Sequence, residues 1–400
     1  LDWALEKTGH HGDGALRERL LQLYWELGAY AEVPAMLQAL KAAGLNTGIL
    51  SNGSPAMLRG AERPIILAGH AIDTEGGREA LLAFAEAWQT PVAVSFRRQD
   101  LFPNNHALYA GDLGLRNPDA QRAAFADADL VVALGTRLTD ITTQGWTWPA
   151  PGQRLAHICA EPRFLGWHFP AELAVAADAR AVLAALGAER PAASAARGAW
   201  AKKLRDLQTA DSQVAATTHN DGVAFARIAK LIGEIAAPDA MIALDAGTFG
   251  APFYRKIAWV SPRRLLAPVA GSMGFGVPAG VAAALRHPNR QVIALVGDGG
   301  AFMTGGEFAV AVARGVPLKM ILSDNGSYAS IRIHQERAHP GRVSGTSLEN
   351  PDFAAWCAAF RVPVTRIETD ADMPKLAEAL AAPGPAAVHV RTSLQAVLPK

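Results

Sequence analysis

The stretch Gln291 to Gln335, QVIALVGDGGAFMTGGEFAVAVARGVPLKMILSDNGSYASIRIHQ, constrains the fold more than any other part of the chain. It opens with an unbroken apolar run, Val292 to Val296, which reads as a parallel strand buried on both faces. The run stops at Gly297-Asp298-Gly299, with Gly300 next. A helix-like segment, roughly Gly305 to Ala313, leads to a second apolar run, Leu318 to Leu322, which stops at Asp324-Asn325-Gly326. Two neighbouring strands therefore each end in a hard oxygen ligand flanked by glycine. In an open α/β sheet, ligands bind in the crevice beyond the carboxyl ends of the strands. A carboxylate and an amide oxygen at that edge suit Mg²⁺, whose other positions go to phosphate oxygens and water. The glycines let backbone approach a phosphate closely, and a following helix N-terminus favours the anion. A dinucleotide fingerprint is a poor rival, because the last position of G-x-G-x-x-G falls on Phe302.

Length and composition bound the rest. Four hundred residues, half of them hydrophobic and 19% charged, supply material for two or three cores. The reading divides the chain into 1–60, 61–190, a linker over 191–220, and 221–400. A net charge of +1 carries no nucleic-acid signal. Cys159 and Cys357 stand in unrelated contexts, which fits a reducing, cytoplasmic setting with no disulfide framework. No apolar run approaches the ~18 residues of a membrane span. The opening LDWALEKTGHH is charged early, unlike a signal peptide, and lacks an initiator Met, so a trimmed chain or one cut from a longer protein is expected.

Asn325 follows Asp298 by 27 residues, and Gly-Asp-Gly followed by Asn at such a spacing resembles the thiamine-diphosphate (ThDP) signature. The whole stretch is similar to the diphosphate-binding domain of the acetolactate synthase-like ThDP enzymes. The resemblance implies that Asp298, Asn325 and the backbone carbonyl of Ser327 hold the Mg²⁺ that anchors the diphosphate, with Gly297, Gly299 and Gly300 forming the turn. Upstream, Met241 to Leu244 reads as a strand closing on Asp245-Ala246-Gly247-Thr248. The same resemblance makes Gly247 and Thr248 donors to the diphosphate, although relatives often carry a polar side chain where this chain has Phe249. In GSMGFGVPAG, the Gly271 carbonyl matches the acceptor for the cofactor's 4′-amino group. Met273 matches the apolar residue that props the cofactor in its bent form.

Residues 62–190 resemble the middle domain of the same enzymes in RPIILAGHAI, TPVAVSF, ADLVVALGTRL and HICAEP. In some relatives that domain binds FAD, in others a nucleotide-like activator, and in many nothing. Here GDLGLRNPDA, from Gly111, takes the place of a FAD-contacting loop. Leu138-Thr139-Asp140 departs from the acidic pair that FAD binding would bring, and His70, Arg137 and Asp140 read as loop residues at strand ends. The Ala- and Pro-rich text after Gly187 reads as a linker, with a helix from Gly198 to about Ala210.

Residues 1–60 have a different character. EVPAMLQALKAAGLNTGILSNGSPAML resembles the haloacid dehalogenase family around its second motif, where Ser51 would bind a substrate anion and Asn52 would assist. That family's nucleophilic Asp, Lys and acidic metal ligands are not found, and Asp13 follows no strand. A fragment inactive in that chemistry is expected.

The fold expected is α/β: two Rossmann-like parallel-sheet domains preceded by a short dehalogenase-like fragment. The function implied is a ThDP- and Mg²⁺-dependent decarboxylase or carboligase acting on a 2-keto acid. ThDP carries the hard chemistry, and the protein anchors, bends and tunes it. The tuning Glu of such enzymes sits on a pyrimidine-binding domain that this sequence does not show. A second polypeptide, in a homo-oligomer or as a separate pyrimidine-domain subunit, is the expected source. Glu307 reads as helical surface, and His334 and Glu336 stand near where relatives place substrate-facing residues. The tryptophan-bearing segment that acetohydroxyacid synthases use for substrate selection is not seen after Tyr328, which argues against a branched-chain biosynthetic role. The alternatives are a non-catalytic fusion or partner subunit and, more weakly, a dehalogenase-type hydrolase. Neither nucleic acid nor membrane is an expected partner.

Overall fold

The computed structural model describes residues 12–19, 54–115, 117–187, 192 and 194–399. The chain separates into two units, Leu1–Leu50 and Ser51–Lys400. In the first, residues 14–19 are helical and Asp13 caps that helix, its Oδ1 accepting from the Leu16 amide at 2.8 Å. Ser51, Asn52 and most of the dehalogenase-like text lie outside the described residues.

The second unit holds two six-stranded sheets, each parallel throughout. The first contains β1 (Pro64–Ala68), β2 (Val92–Ser95), β3 (Tyr109–Leu113), β4 (Leu130–Leu134), β5 (Arg154–Ile158) and β6 (Leu173–Val175), in the order β3-β2-β1-β4-β5-β6. The second contains β7 (Met241–Leu244), β8 (Arg264–Leu266), β9 (Val292–Gly297), β10 (Leu318–Asp324), β11 (Val364–Ile367) and β12 (Ala386–Arg391), in the order β11-β12-β10-β9-β7-β8. The apolar runs read from sequence are therefore strands buried on both faces, as parallel sheets require. Alternate residues serve opposite layers. Ile293, Leu295 and Ile321 pack with the helix Phe225–Ile235. Val292, Ala294, Val296, Met320 and Leu322 pack with the helix Gly276–Arg286.

Register sets the site. Leu244 pairs with Leu295, and Val296 and Gly297 pair with Leu322 and Ser323. The residues that follow, Asp245, Asp298 and Asp324–Asn325, so emerge along one carboxyl edge. The helix after β9 begins at Asp298 itself (Asp298–Thr304), several residues earlier than the periodicity suggests, because the glycine-rich turn is absorbed into its first turn.

The Ala-rich text after residue 190 does more than connect. Its helix spans Ala195–Asp211, and Trp200 and Leu204 enter the core of the first sheet. Trp200 Nε1 donates to the Pro64 carbonyl at 2.8 Å, and Arg197 Nε donates to the Ala61 carbonyl at 2.9 Å. Met57 and Leu58 join that domain's other layer. The GDLGLRNPDA stretch is likewise not a surface loop at its start: Gly111, Asp112 and Leu113 are β3 residues, and buried Asp112 accepts from Arg255 Nε at 3.0 Å.

Candidate functional site

Three strand ends of the second sheet build the cleft. At the end of β9, Asp298 is buried, and four amide N–H groups converge on it. Its Oδ1 accepts from Gly299 N at 2.9 Å. Its Oδ2 accepts from Asn325 N at 3.2 Å, Ser327 N at 3.3 Å and Asn350 Nδ2 at 3.0 Å. Burial lifts the Asp298 carboxyl above its ordinary value; hydrogen bonds oppose the lift, and nearby Asp324 adds to it. Among the described residues, no Lys, Arg or His hydrogen-bonds to Asp298.

At the end of β10, Asn325 Oδ1 accepts from Ser327 N at 3.0 Å, which turns the amide oxygen toward the Asp298 side of the loop. The Ser327 carbonyl accepts from Ala329 N at 2.7 Å and keeps a second lone pair. Asp324 shares the Asn350 amide with Asp298 and has a partner of its own. Its Oδ2 lies 2.9 Å from His389 Nε2, and its Oδ1 accepts from Asn350 Nδ2 at 2.7 Å. Burial would raise that carboxyl, but the His389 and Asn350 hydrogen bonds outweigh it and hold it below the ordinary value.

At the end of β7, buried Asp245 accepts from Ala246 N at 2.7 Å, Gly274 N at 3.0 Å and Phe275 N at 3.1 Å. Burial again lifts the carboxyl. Asp245 thereby ties the segment carrying Met273 to the strand end.

The glycines are steric necessities. A Cβ on Gly299 would sit 2.4 Å from Tyr328 Cε1 and 3.1 Å from Met273 Cε, and one on Gly300 would sit 2.5 Å from Asp245 Oδ2. Phe249 accounts for two more: a Cβ on Gly247 or Gly297 would meet its ring at 2.5 or 3.0 Å.

Of the residues singled out in the sequence, Gly247, Thr248, Met273, Gly297, Asp298, Gly299, Gly300, Asn325 and Ser327 all line this one cleft. Gly271 is exposed in the loop leading to Met273 and is not part of the lining. His334 and Glu336 are on the helix Ala329–Ala338; His334 is exposed, and Glu336 is occupied by Arg332 at 3.6 Å and the Gly341 amide at 3.0 Å. Glu307 is exposed. Sequence reasoning missed Asn350 altogether. It noted Asp245 only as the residue closing a strand, although the pattern of strand, Asp and glycine recurs there.

The donor set fits a magnesium-bound diphosphate. A buried carboxylate held by amides and lacking a cation leaves its negative charge uncompensated, which a divalent ion would correct. Among the described residues no group of three or more His, Cys, Asp or Glu is arranged to hold a metal, so a softer, side-chain-rich centre is not built here.

Comparison with known proteins agrees with this geometry. Residues 55–186 match the central domain of thiamine pyrophosphate enzymes, and residues 245–390 match their C-terminal TPP binding domain. Over these two stretches the chain is similar to the central and C-terminal domains of thiamine pyrophosphate enzymes. Within them its relatives include the acetolactate synthase large subunit of Parasynechococcus marenigrum, 29% identical over 84% of this chain and 55% of the relative. That of Lactococcus lactis is 28% identical over 77% and 54%. The probable acetolactate synthase large subunit of Methanocaldococcus jannaschii is 28% identical over 80% and 56%. The chain thus spans about half the length of the curated relatives it matches.

Proposed function

We propose that the cleft binds ThDP through Mg²⁺ held by Asp298, Asn325 and the Ser327 carbonyl, and that the chain is the middle and diphosphate-binding portion of a decarboxylase or carboligase acting on a 2-keto acid. The observation that carries this reading is Asp298: a buried carboxylate met, among the described residues, by four amide donors and no cation. When bound, ThDP would supply the electron-sink chemistry that decarboxylation of a 2-keto acid needs. The chain's own residues anchor and shape. Asp298 and Asn325 fix the metal, Gly299 and Gly300 leave room beside Tyr328 and Asp245, and Met273 stands at the cleft wall with its Cε near Gly299.

The pyrimidine half of the site comes from elsewhere: another segment of a longer protein, a second copy, or a separate subunit. Val269, Met273, Phe302, Met303 and Ile331 are large, apolar and exposed on the segments bordering the cleft, which is the surface such a polypeptide would cover. The likeness of residues 32–58 to the dehalogenases is read as an inactive fragment; Asp13, capping a helix, is not placed as a strand-end nucleophile. Among the described residues no helix is long and apolar enough to cross a membrane.

Calorimetric titration of ThDP with and without Mg²⁺ tests the reading. Saturable, Mg²⁺-dependent binding that Asp298→Ala abolishes is the expected result. No binding at millimolar cofactor, with or without a pyrimidine-domain polypeptide added, overturns it. Binding with no turnover of any 2-keto acid, even with that polypeptide present, favours a non-catalytic partner subunit.

A further inference from the structure

We infer that Arg97, at the carboxyl end of the first sheet, is a positioning residue for the 268–273 loop of the second sheet, so that the middle domain sets the pose of one wall of the cleft. Its bearing on cofactor rests on the ThDP reading above.

Arg97 lies two residues beyond β2 and is buried. Its backbone is left-handed, with φ 62°, a conformation non-glycine residues adopt only when surroundings impose it. The guanidinium lies over the Phe96 ring, 4.6 Å from its centroid. Nε donates to Tyr254 Oη at 3.2 Å, and Nη1 donates to the Pro268 carbonyl. That carbonyl also accepts from the Gly271 amide at 3.1 Å, closing a turn in which Gly271 has φ 77°. A Cβ on Gly271 would lie 3.4 Å from Arg97 Nη1, so the turn rests directly on the guanidinium. Three residues later Asp245 takes over, gripping Gly274 and Phe275. The loop therefore has one anchor in each domain, and Met273 hangs between them.

The choice of partner separates this contact from ordinary cross-domain pairing. Arg255 and Arg264 cross the same junction to carboxylates, Asp112 at 3.0 Å and Asp100 at 3.1 Å. Among the described residues no carboxylate hydrogen-bonds to Arg97. Its charge is directed at one main-chain carbonyl, which aligns a loop more than it ties two domains. A planar fork reaches Pro268 and Tyr254 together, and a lysine ammonium does not.

Two variants of the full chain test this. Arg97→Gly removes the guanidinium and suits the left-handed backbone, and Arg97→Lys keeps the charge without the fork. Amide hydrogen exchange is read at Gly271 and across β7 and β9 as internal controls. Exchange at Gly271 is expected to rise about tenfold in both variants, the size of one charge-assisted hydrogen bond, with the strands unchanged. Affinity for Mg²⁺-ThDP is expected to fall about tenfold, while affinity for Mg²⁺-pyrophosphate, which needs only the strand-end site, holds. Unchanged exchange at Gly271 in both variants, or a uniform rise throughout the second sheet in both, overturns the inference. If the unmodified chain fails to bind ThDP but Gly271 still responds to Arg97, the hold on the loop stands and the cofactor reading falls.

Discussion

The two sheets of this protein share strand number and direction, yet their carboxyl edges are opposites. In the first sheet the edge is closed. A Cβ on Gly69, after β1, would lie 2.5 Å from the Gly135 carbonyl oxygen, after β4, so the crevice between these strand ends is packed with backbone. The acidic groups near that edge are also spoken for: Asp73 by Arg78 and Arg264, Asp100 by the same two arginines, and Asp112 by Arg255. In the second sheet, buried Asp245 and Asp298 are met, among the described residues, by amides alone. What distinguishes a site from a scaffold here is not the fold, which is common to both, but whether a buried negative charge already has its cation.

That contrast can be broken by experiment, and the largest effect belongs to Asp298. Asp298→Ala is expected to weaken Mg²⁺-dependent ThDP binding at least about 100-fold, as loss of a main metal ligand does, measured by calorimetry. Asp298→Asn removes the charge and keeps one acceptor oxygen, but sets its NH2 against at least one amide donor, so it should lose binding while melting near the parent's temperature in the absence of metal. Next comes a charge of the other kind. Asp100→Ala leaves Arg78 and Arg264 to share Asp73 at the domain junction and is expected to cost about 2 kcal/mol in urea unfolding, with ThDP affinity changed far less than by Asp298→Ala. If the first-sheet variant abolishes binding as fully as the second-sheet one, the contrast fails.

Gly299→Ala forces Tyr328 or Met273 aside and is expected to cost about 2 kcal/mol, read as a lower Tm, while narrowing the cleft. The smallest effect is a matter of pH. Burial opposes ionisation of Asp73, but Arg78 and Arg264 outweigh it and hold the carboxyl below its ordinary value. A depressed carboxyl contributes stability above the unfolded-state value, about 3.9, and loses it as pH falls through the folded-state value. Asp73→Asn should therefore destabilise at pH 7 by under about 1 kcal/mol, given its partial exposure, and by less at about pH 3, below the unfolded-state value. Unfolding curves at both pH values decide it.

Much of this was legible beforehand, and the pattern of what was not is physical. β1, β4 and β7 lie where continuous apolar runs put them, because burial on both faces leaves no polar positions to confuse the boundary. That Asp298, Asn325 and Ser327 share one cleft was legible because local spacing carries them. β3, with the text YAGDL, was not, since its glycine and aspartate are poor strand formers that only the packed helix Ala195–Asp211 makes sense of. Asn350 sits in an Asn-Pro-Asp run that reads as a turn, and only the fold brings its amide to both Asp298 and Asp324. Arg97 is likewise silent in sequence, because its partner lies in the other domain.

The helix Ala195–Asp211 also decides where this protein comes apart. With Trp200 and Leu204 committed to the first core, severing the chain before Ala195 would leave that core open along one side. The strand-free stretch 213–220 that follows is largely exposed and is the natural point for a protease to cut. A cut there would leave the first sheet's own core, Trp200 and Leu204 included, on one fragment.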